Sequence, residues 1–272
     1  MRFSKMQGIG NDYIYVSLFT ERVEDPSSLA VAISRPHFGI GADGLVLIGP
    51  SEKADFSMRI FNPDGSESEM CGNACRCVGK YVYERGLTDR TQLTLETPAG
   101  MRGLALTVSE GKVDHVRVDM GRPELNPVRI PVNAPGTRAV RLPVDGLELT
   151  CVSMGNPHAV LFTEDLSDET VARLGPKLEH HPLFPHRTNV EFVRVEAPDR
   201  LRVRVWERGV GETLACGTGA CAALVAANLC GLCERSAEVA LPGGSLRVSW
   251  LPDGHVTQEG PAEFVYDGDW LE

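Results

Sequence analysis

Apolar and polar residues alternate in short runs along most of the chain, and Gly or Pro interrupts nearly every run. This period-two pattern predicts strands over residues 12–19, 45–48, 56–61, 201–206 and 246–250. Two longer segments carry a helical pattern instead. One follows Cys71 and runs to about residue 85, and the other follows Cys216 and runs to about residue 230. Each meets a glycine, Gly86 or Gly231, suited to a left-handed helix cap. Many strands with few helices indicate an α+β fold. The second helical segment is apolar on every side over residues 219–227, so it must be buried all round, as inside a curved, barrel-like sheet. The first is more amphipathic, with Val78, Tyr81 and Val82 on one face and Arg76, Lys80 and Glu84 elsewhere.

The two halves overlay. Cys216 follows Cys71 by 145 residues, and the same offset relates Gly231-Leu232 to Gly86-Leu87, Glu212 to Glu67, Gly155-Asn156 to Gly10-Asn11, and residues 190–193 to 45–48. One register held across most of a half-chain reads as an internal duplication giving two pseudo-symmetric lobes, each with its own central helix.

Composition narrows the partners. The 272 residues are 42% hydrophobic and 24% charged, enough apolar material for a core. Lys and Arg number 27 against 37 Asp and Glu, a net charge of −10 without a basic run. That excludes the electrostatic footprint of a nucleic-acid binder or an anionic-membrane binder. No apolar run is long enough to span a bilayer, and the first residues lack the apolar region of a signal peptide. Eight cysteines in such a chain point to thiols in a reducing cytoplasm rather than a disulfide framework.

The duplication places one cysteine at the start of each helix, Cys71 before Gly72-Asn73 and Cys216 before Gly217-Thr218. Unsatisfied N–H groups and partial positive charge at a helix start lower a thiol pKa and cradle a carboxylate. The neighbouring glycines let a ligand approach the backbone. If the lobes face each other, two thiols flank one ligand. That suits inversion of a carbon stereocentre, in which one thiolate removes a proton and one thiol delivers another to the opposite face. Cys75, Cys77, Cys151 and Cys221 read as buried thiols. The lone Cys230-x-x-Cys233 lacks the further ligands of a zinc site. The histidines of residues 180–186 read as part of a surface loop. Asn11, Asn62, Asn156 and Asn189 lie at strand ends leading toward the cysteine turns, with Arg208 able to take a carboxylate. His158 and Glu207 are titratable groups able to adjust the thiols.

The chain resembles the diaminopimelate epimerase family over nearly its whole length. The resemblance is carried by Gly8-Ile9-Gly10-Asn11-Asp12, Gly39-Ile40-Gly41-Ala42-Asp43-Gly44 and Phe61-Asn62-Pro63-Asp64-Gly65-Ser66. It continues through Cys71-Gly72-Asn73, Gly155-Asn156-Pro157-His158-Ala159-Val160, Asn189-Val190-Glu191-Phe192, Trp206-Glu207-Arg208-Gly209 and Ala215-Cys216-Gly217-Thr218-Gly219. It implies cofactor-independent, metal-independent interconversion of LL- and meso-2,6-diaminopimelate, in lysine and peptidoglycan precursor biosynthesis. The implied active site lies in the cleft between two lobes. Cys71 and Cys216 fall on the family's catalytic pair. Asn11, Asn62, Gly72, Asn73, Asn156, Asn189, Glu207, Arg208, Gly217 and Thr218 fall on its substrate contacts. His158 and Glu207 fall on groups that modulate the thiols, and Tyr266 on a homodimer contact. The resemblance also implies that the C-terminal segment returns to the first lobe, giving residues 1–117 with 261–272 and residues 118–260 as the lobes. The chain departs from the family at Gly44, where some members have glutamine, at Ala74, and at Gln7.

Rival readings are a proline or hydroxyproline racemase, a phenazine-type isomerase and a non-catalytic amino-acid or thiol-redox binding protein. The matched cysteines weigh against the second, and the asparagine set with Glu207-Arg208 favours a long diamino dicarboxylate over a small ring.

Overall fold

The computed structural model describes residues 1–271. Glu272, assigned above to the first lobe, lies outside the described residues. The chain divides into two compact units, Met1–Asp119 with Glu259–Glu272, and Met120–Gln258.

The first unit runs β1 (Arg2–Gly8), β2 (Asn11–Ser17), α1 (Pro26–Ser34), β3 (Leu45–Gly49), β4 (Phe56–Phe61), β5 (Glu67–Ser68), α2 (Gly72–Glu84), β6 (Gln92–Thr97), β7 (Gly100–Ser109) and β8 (Lys112–Gly121). The second runs β9 (Leu142–Val144), β10 (Leu147–Ser153), β11 (Pro157–Phe162), α3 (Asp168–Glu179), β12 (Asn189–Ala197), β13 (Arg200–Glu207), β14 (Gly211–Thr213), α4 (Gly217–Leu229), β15 (Ser236–Leu241), β16 (Gly244–Trp250) and β17 (Val256–Gly260). The chain then supplies β18 (Glu263–Asp269), which pairs antiparallel with β1.

The strand registers carry the duplication. In the parallel β2–β3 pair Ile14 faces Leu45, and in the antiparallel β3–β4 pair Leu45 faces Phe61. In the second unit Ala159 faces Val190 across β11–β12, and Val190 faces Trp206 across β12–β13, each residue 145 further on. Phe61 opposite Glu67 likewise becomes Trp206 opposite Glu212. Beyond the central helices the offset falls to 144, since Leu95 opposite Arg102 becomes Val239 opposite Leu246. The second repeat is therefore one residue shorter there, which the gapless overlay did not show.

In each unit one face of the sheet covers the central helix and the other carries a crossover helix. Helix α4 packs against β10, β11, β12, β13, β15 and β16, and every residue from Gly219 to Ala227 is buried. Helix α3 covers the opposite face, with Val171, Leu174 and Leu178 against Leu149, Ala159, Leu161 and Phe192. Helix α1 does the same in the first unit, setting Ala30 and Ile33 against Phe3, Ile14, Val16, Leu45 and Leu47. Strands covered on both faces lose their polar alternation, which is why β3 is buried at every position.

Two expectations need correction. Helices α1 and α3 connect the parallel pairs β2–β3 and β11–β12, as a parallel pair requires, yet neither was expected from the pattern. Arg76, set apart from the apolar face of the first helix by its position in the sequence, is nonetheless not solvated. It is fully buried, and its Nε donates to the Pro261 carbonyl at 3.0 Å.

Candidate active site

Short elements aim each cysteine. In the first unit β4 and β5 form a small hairpin, and Glu69 and Met70 separate β5 from Cys71. In the second, β13 and β14 form the equivalent hairpin before Cys216. A two-point ion pair braces each hairpin. Arg59 Nε and Nη2 donate to Glu67 Oε1 and Oε2 at 2.7 and 2.9 Å, and Arg204 Nε and Nη2 donate to Glu212 Oε1 and Oε2 at 2.6 and 2.7 Å. Both cysteines are N-cap residues in extended conformation, with φ, ψ of −138°, 120° for Cys71 and −120°, 108° for Cys216. Neither side chain caps its helix, so the first-turn N–H groups stay available for an anion. Both 13-residue helices end in the same way. Gly86 and Gly231 have φ of +70° and +72°, and Leu87 and Leu232 donate back to Val82 and Ala227 at 2.9 Å.

Around Cys71 the thiol donates to Asn11 Oδ1 at 3.4 Å, and Asn73 Nδ2 donates to the same oxygen at 3.3 Å. Asn11 Nδ2 donates to Asp43 Oδ2 at 2.6 Å, which fixes the amide orientation. Asp43 is raised above the usual carboxylate pKa, chiefly by burial. Asn73 is 2% exposed, and its Oδ1 has no hydrogen-bond partner. Asn62, at the end of β4, donates to Ser66 Oγ at 3.0 Å within its turn. Gly44 has φ of +151°, and a Cβ there would lie 2.3 Å from the Phe61 carbonyl oxygen, so this backbone accepts no side chain at that position.

Around Cys216 the setting differs. The thiol is 6% exposed and 3.5 Å from Thr218 Oγ1. Burial, then the charges of Glu207 and Glu191, push its pKa well above the ordinary thiol value. The Thr218 hydroxyl and the Gly219 N–H pull the other way but are outweighed. The lowering expected at a helix start therefore does not prevail at Cys216. His158 lies fully buried, with Nδ1 2.7 Å from Glu191 Oε1 and Nε2 2.9 Å from Asn156 Oδ1. Glu207 accepts from Thr213 Oγ1 at 2.6 Å. Asn189 spends its amide on the fold, since Nδ2 donates to the Pro157 carbonyl at 3.0 Å and Oδ1 accepts from the Arg208 N–H at 2.8 Å. The Arg208 guanidinium donates to the His186 carbonyl at 3.2 Å and lines an open depression with Pro185, His186, Arg187 and Gly209. At Gly217 a Cβ would lie 2.8 Å from Gln258 Oε1, so this glycine admits the chain's own glutamine against the helix start.

Glu191 stands within the Asn189-Val190-Glu191-Phe192 motif, and the sequence alone assigns it no role. Tyr266 lies on β18, 44% exposed, with its ring edge-on to Phe3 at 5.9 Å. The other cysteines are thiols, none in a disulfide. Burial pushes Cys75 and Cys151 up to about 12 and Cys77 and Cys233 to about 11, which suits packing rather than proton transfer.

Comparison with known proteins bears on this arrangement at two depths. The hydroxyproline epimerase of Agrobacterium vitis, solved with bound trans-4-hydroxy-L-proline, superposes with a TM-score of 0.69 at 16% identity, over 98% of this chain and 90% of that one. A Pseudomonas aeruginosa protein described as a predicted epimerase gives 0.73 at 17% identity, over 100% and 99%. Likeness at that identity establishes the fold, an α+β architecture of two lobes. Sequence goes further. The diaminopimelate epimerases of Acetivibrio thermocellus and Desulfovibrio desulfuricans are 57% and 54% identical to it, each covering 99% of this chain and 98% of the relative. That of the archaeon Methanococcus maripaludis is 49% identical, with 99% of both covered. The diaminopimelate epimerase family profile matches residues 3–126 and 150–265, which contain both cysteine turns and every asparagine named above. On that coverage the chain is an enzyme of the racemase and epimerase class and belongs to the diaminopimelate epimerase family.

Proposed function

We propose that the chain interconverts LL- and meso-2,6-diaminopimelate without a cofactor, using Cys71 and Cys216 as a thiolate base and a thiol acid. The observation that carries this reading is the pair of thiols at equivalent N-caps of two equivalent helices. One thiolate takes the proton from Cα, and the electron pair left behind delocalises into the α-carboxylate. The other thiol then delivers its proton to the opposite face. Thiol and thiolate have exchanged roles, and the reverse reaction starts from that state.

The uncapped N–H groups at Gly72-Asn73 and Gly217-Thr218 hold the α-carboxylate and stabilise the charge that develops there. Asn11 and Asn156 flank the reacting end, and Glu207 attracts the α-ammonium. Asn62 and Arg208 fix the distal amino-acid end, with Asn189 acting by fixing the Arg208 backbone. His158 and Glu207 modulate the thiols. The reaction needs both thiols reduced, which suits the cytoplasm, and its product would serve lysine and peptidoglycan precursor synthesis. The exposed Val265 and Tyr266 on β18 support a homodimer contact on that strand.

Proton NMR of the reduced protein with LL-2,6-diaminopimelate in deuterated water tests the reading. Deuterium is expected at Cα together with meso product, and both are expected to vanish in Cys71→Ala and in Cys216→Ala. No exchange with this substrate would sink the assignment.

A further inference from the structure

Glu191, on β12, is a buried carboxylate that the two-thiol reading leaves without a task. Its Oε1 meets His158 Nδ1 at 2.7 Å, and its Oε2 has no hydrogen-bond partner. A Cβ on Gly219, in the first turn of α4, would lie 2.9 Å from Glu191 Oε1 and 3.4 Å from Cys216 Sγ. The carboxylate therefore lies against the first turn of α4, beside the thiol. The other titratable groups facing this spot are His158 on β11, Glu207 on β13 and Cys151 on β10.

The duplication shows what is special here. At the register that relates the lobes, the first lobe has Tyr13 where the second has His158, Val46 where it has Glu191, and Ala74 where it has Gly219. The thiols are repeated, but the buried imidazole–carboxylate pair is not.

We propose that Glu191 is a positioning residue that holds Cys216 in its thiol form through its charge, so that the two cysteines begin a turnover chemically unequal. This rests on the two-thiol reading above. Ionising Cys216 would set a second anion beside a carboxylate in a site with little solvent, and the two would repel strongly. The first lobe places an aliphatic side chain at the corresponding point. Cys216 is then the resting proton donor, and Asn156 is tied to Glu191 through His158. Burial and the two nearby carboxylates, Glu207 and Glu191, act in the same direction on the thiol.

The test is a pH titration of thiolate absorbance, with the Cys216 signal isolated by subtracting a Cys216→Ser protein. Glu191→Gln keeps the volume and an acceptor for His158 but removes the charge. It is expected to lower the Cys216 midpoint by about one pH unit, tenfold in thiolate fraction at fixed pH. Glu191→Asp is expected to stay near wild type. In the epimerase assay the alkaline limb of kcat/KM should move down with the midpoint in Glu191→Gln while the plateau is kept. A lower plateau with an unmoved limb would mean a purely structural role and overturn the proposal, as would an unchanged midpoint. Iodoacetamide alkylation of the wild-type protein, resolved by peptide mass spectrometry, needs no variant. Cys71 should react at lower pH than Cys216, and the opposite order would overturn the proposal. Neither thiol measurement requires turnover, so they still report on Glu191 if the chain fails to epimerise diaminopimelate.

Discussion

Cys71 and Cys216 were legible as a pair because duplication repeated their surroundings in sequence, a cysteine followed by glycine at a helix start. Glu191 was not legible as a partner of Cys216. It sits between Val190 and Phe192, and its imidazole partner His158 is 33 residues away. Only the parallel pairing of β11 with β12 brings the two together. The packing cysteines illustrate the opposite use of a thiol. Cys151 is 2% exposed, and burial followed by the Glu191 charge pushes its pKa from 9.0 to about 12. An unfolded chain releases this proton near pH 9, whereas the folded one keeps it until about 12. The stability tied to that proton is complete below pH 9 and drains away as pH rises through this window. Cys151→Ala should therefore flatten the decline of urea stability above pH 9 by up to about 1.4 kcal/mol per pH unit. Parallel declines in wild type and variant would show that Cys151 titrates alike in both states.

Among the elements, the central helices and five strands could be read from periodicity, and the crossover helices could not. Their start signals were present. Asp25 accepts from the Ser28 N–H at 3.1 Å with Pro26 in the first turn of α1, and Ser167 accepts from the Thr170 N–H at 3.3 Å ahead of Asp168 and Glu169. Helix α1 has only nine residues, and Gly175-Pro176 inside α3 reads as a break. Tertiary packing overrides that break, since the Trp206 ring fills the space beside Gly175, with ring carbons 2.5–2.8 Å from where a Cβ would stand. The braces on the two cysteine hairpins share geometry but not environment. The Arg59 side chain is 51% exposed, whereas that of Arg204 is 17% exposed and also reaches the Leu166 carbonyl and Asp168. Solvent screens the first pair, so a double-mutant cycle on Arg59 and Glu67 should give a coupling of about 0.2–1 kcal/mol. The Arg204–Glu212 cycle should give about 1.5–3 kcal/mol, the range for hydrogen bonds to charged groups. Equal couplings in urea unfolding would mean that burial does not set their strength.

At the scale of the whole chain, the first unit is discontinuous, and its last strand is held by more than a sheet edge. β18 pairs with β1 from Arg2 opposite Asp269 to Gln7 opposite Glu263, and Asp267 takes hydrogen bonds from Ser4 and Arg85. The Pro261 carbonyl accepts from Nε of the buried Arg76, whose two terminal nitrogens have no hydrogen-bond partner. Arg76 belongs to α2, the helix that begins at Cys71, so removing residues 261–272 would strip the acceptor from a buried cation in the helix that carries this cysteine. Losing a hydrogen bond to a buried charged group costs about 1.5–3 kcal/mol. A chain ending at Gly260 should therefore lose hydrogen-exchange protection first in β1 and α2. The tryptophans that remain, Trp206 and Trp250, both lie in the second unit, so their emission should change little while that protection falls. A truncated chain that keeps full protection in α2 would show that Arg76 draws its stability from elsewhere. A chain that loses emission and protection together would show that the two units unfold as one.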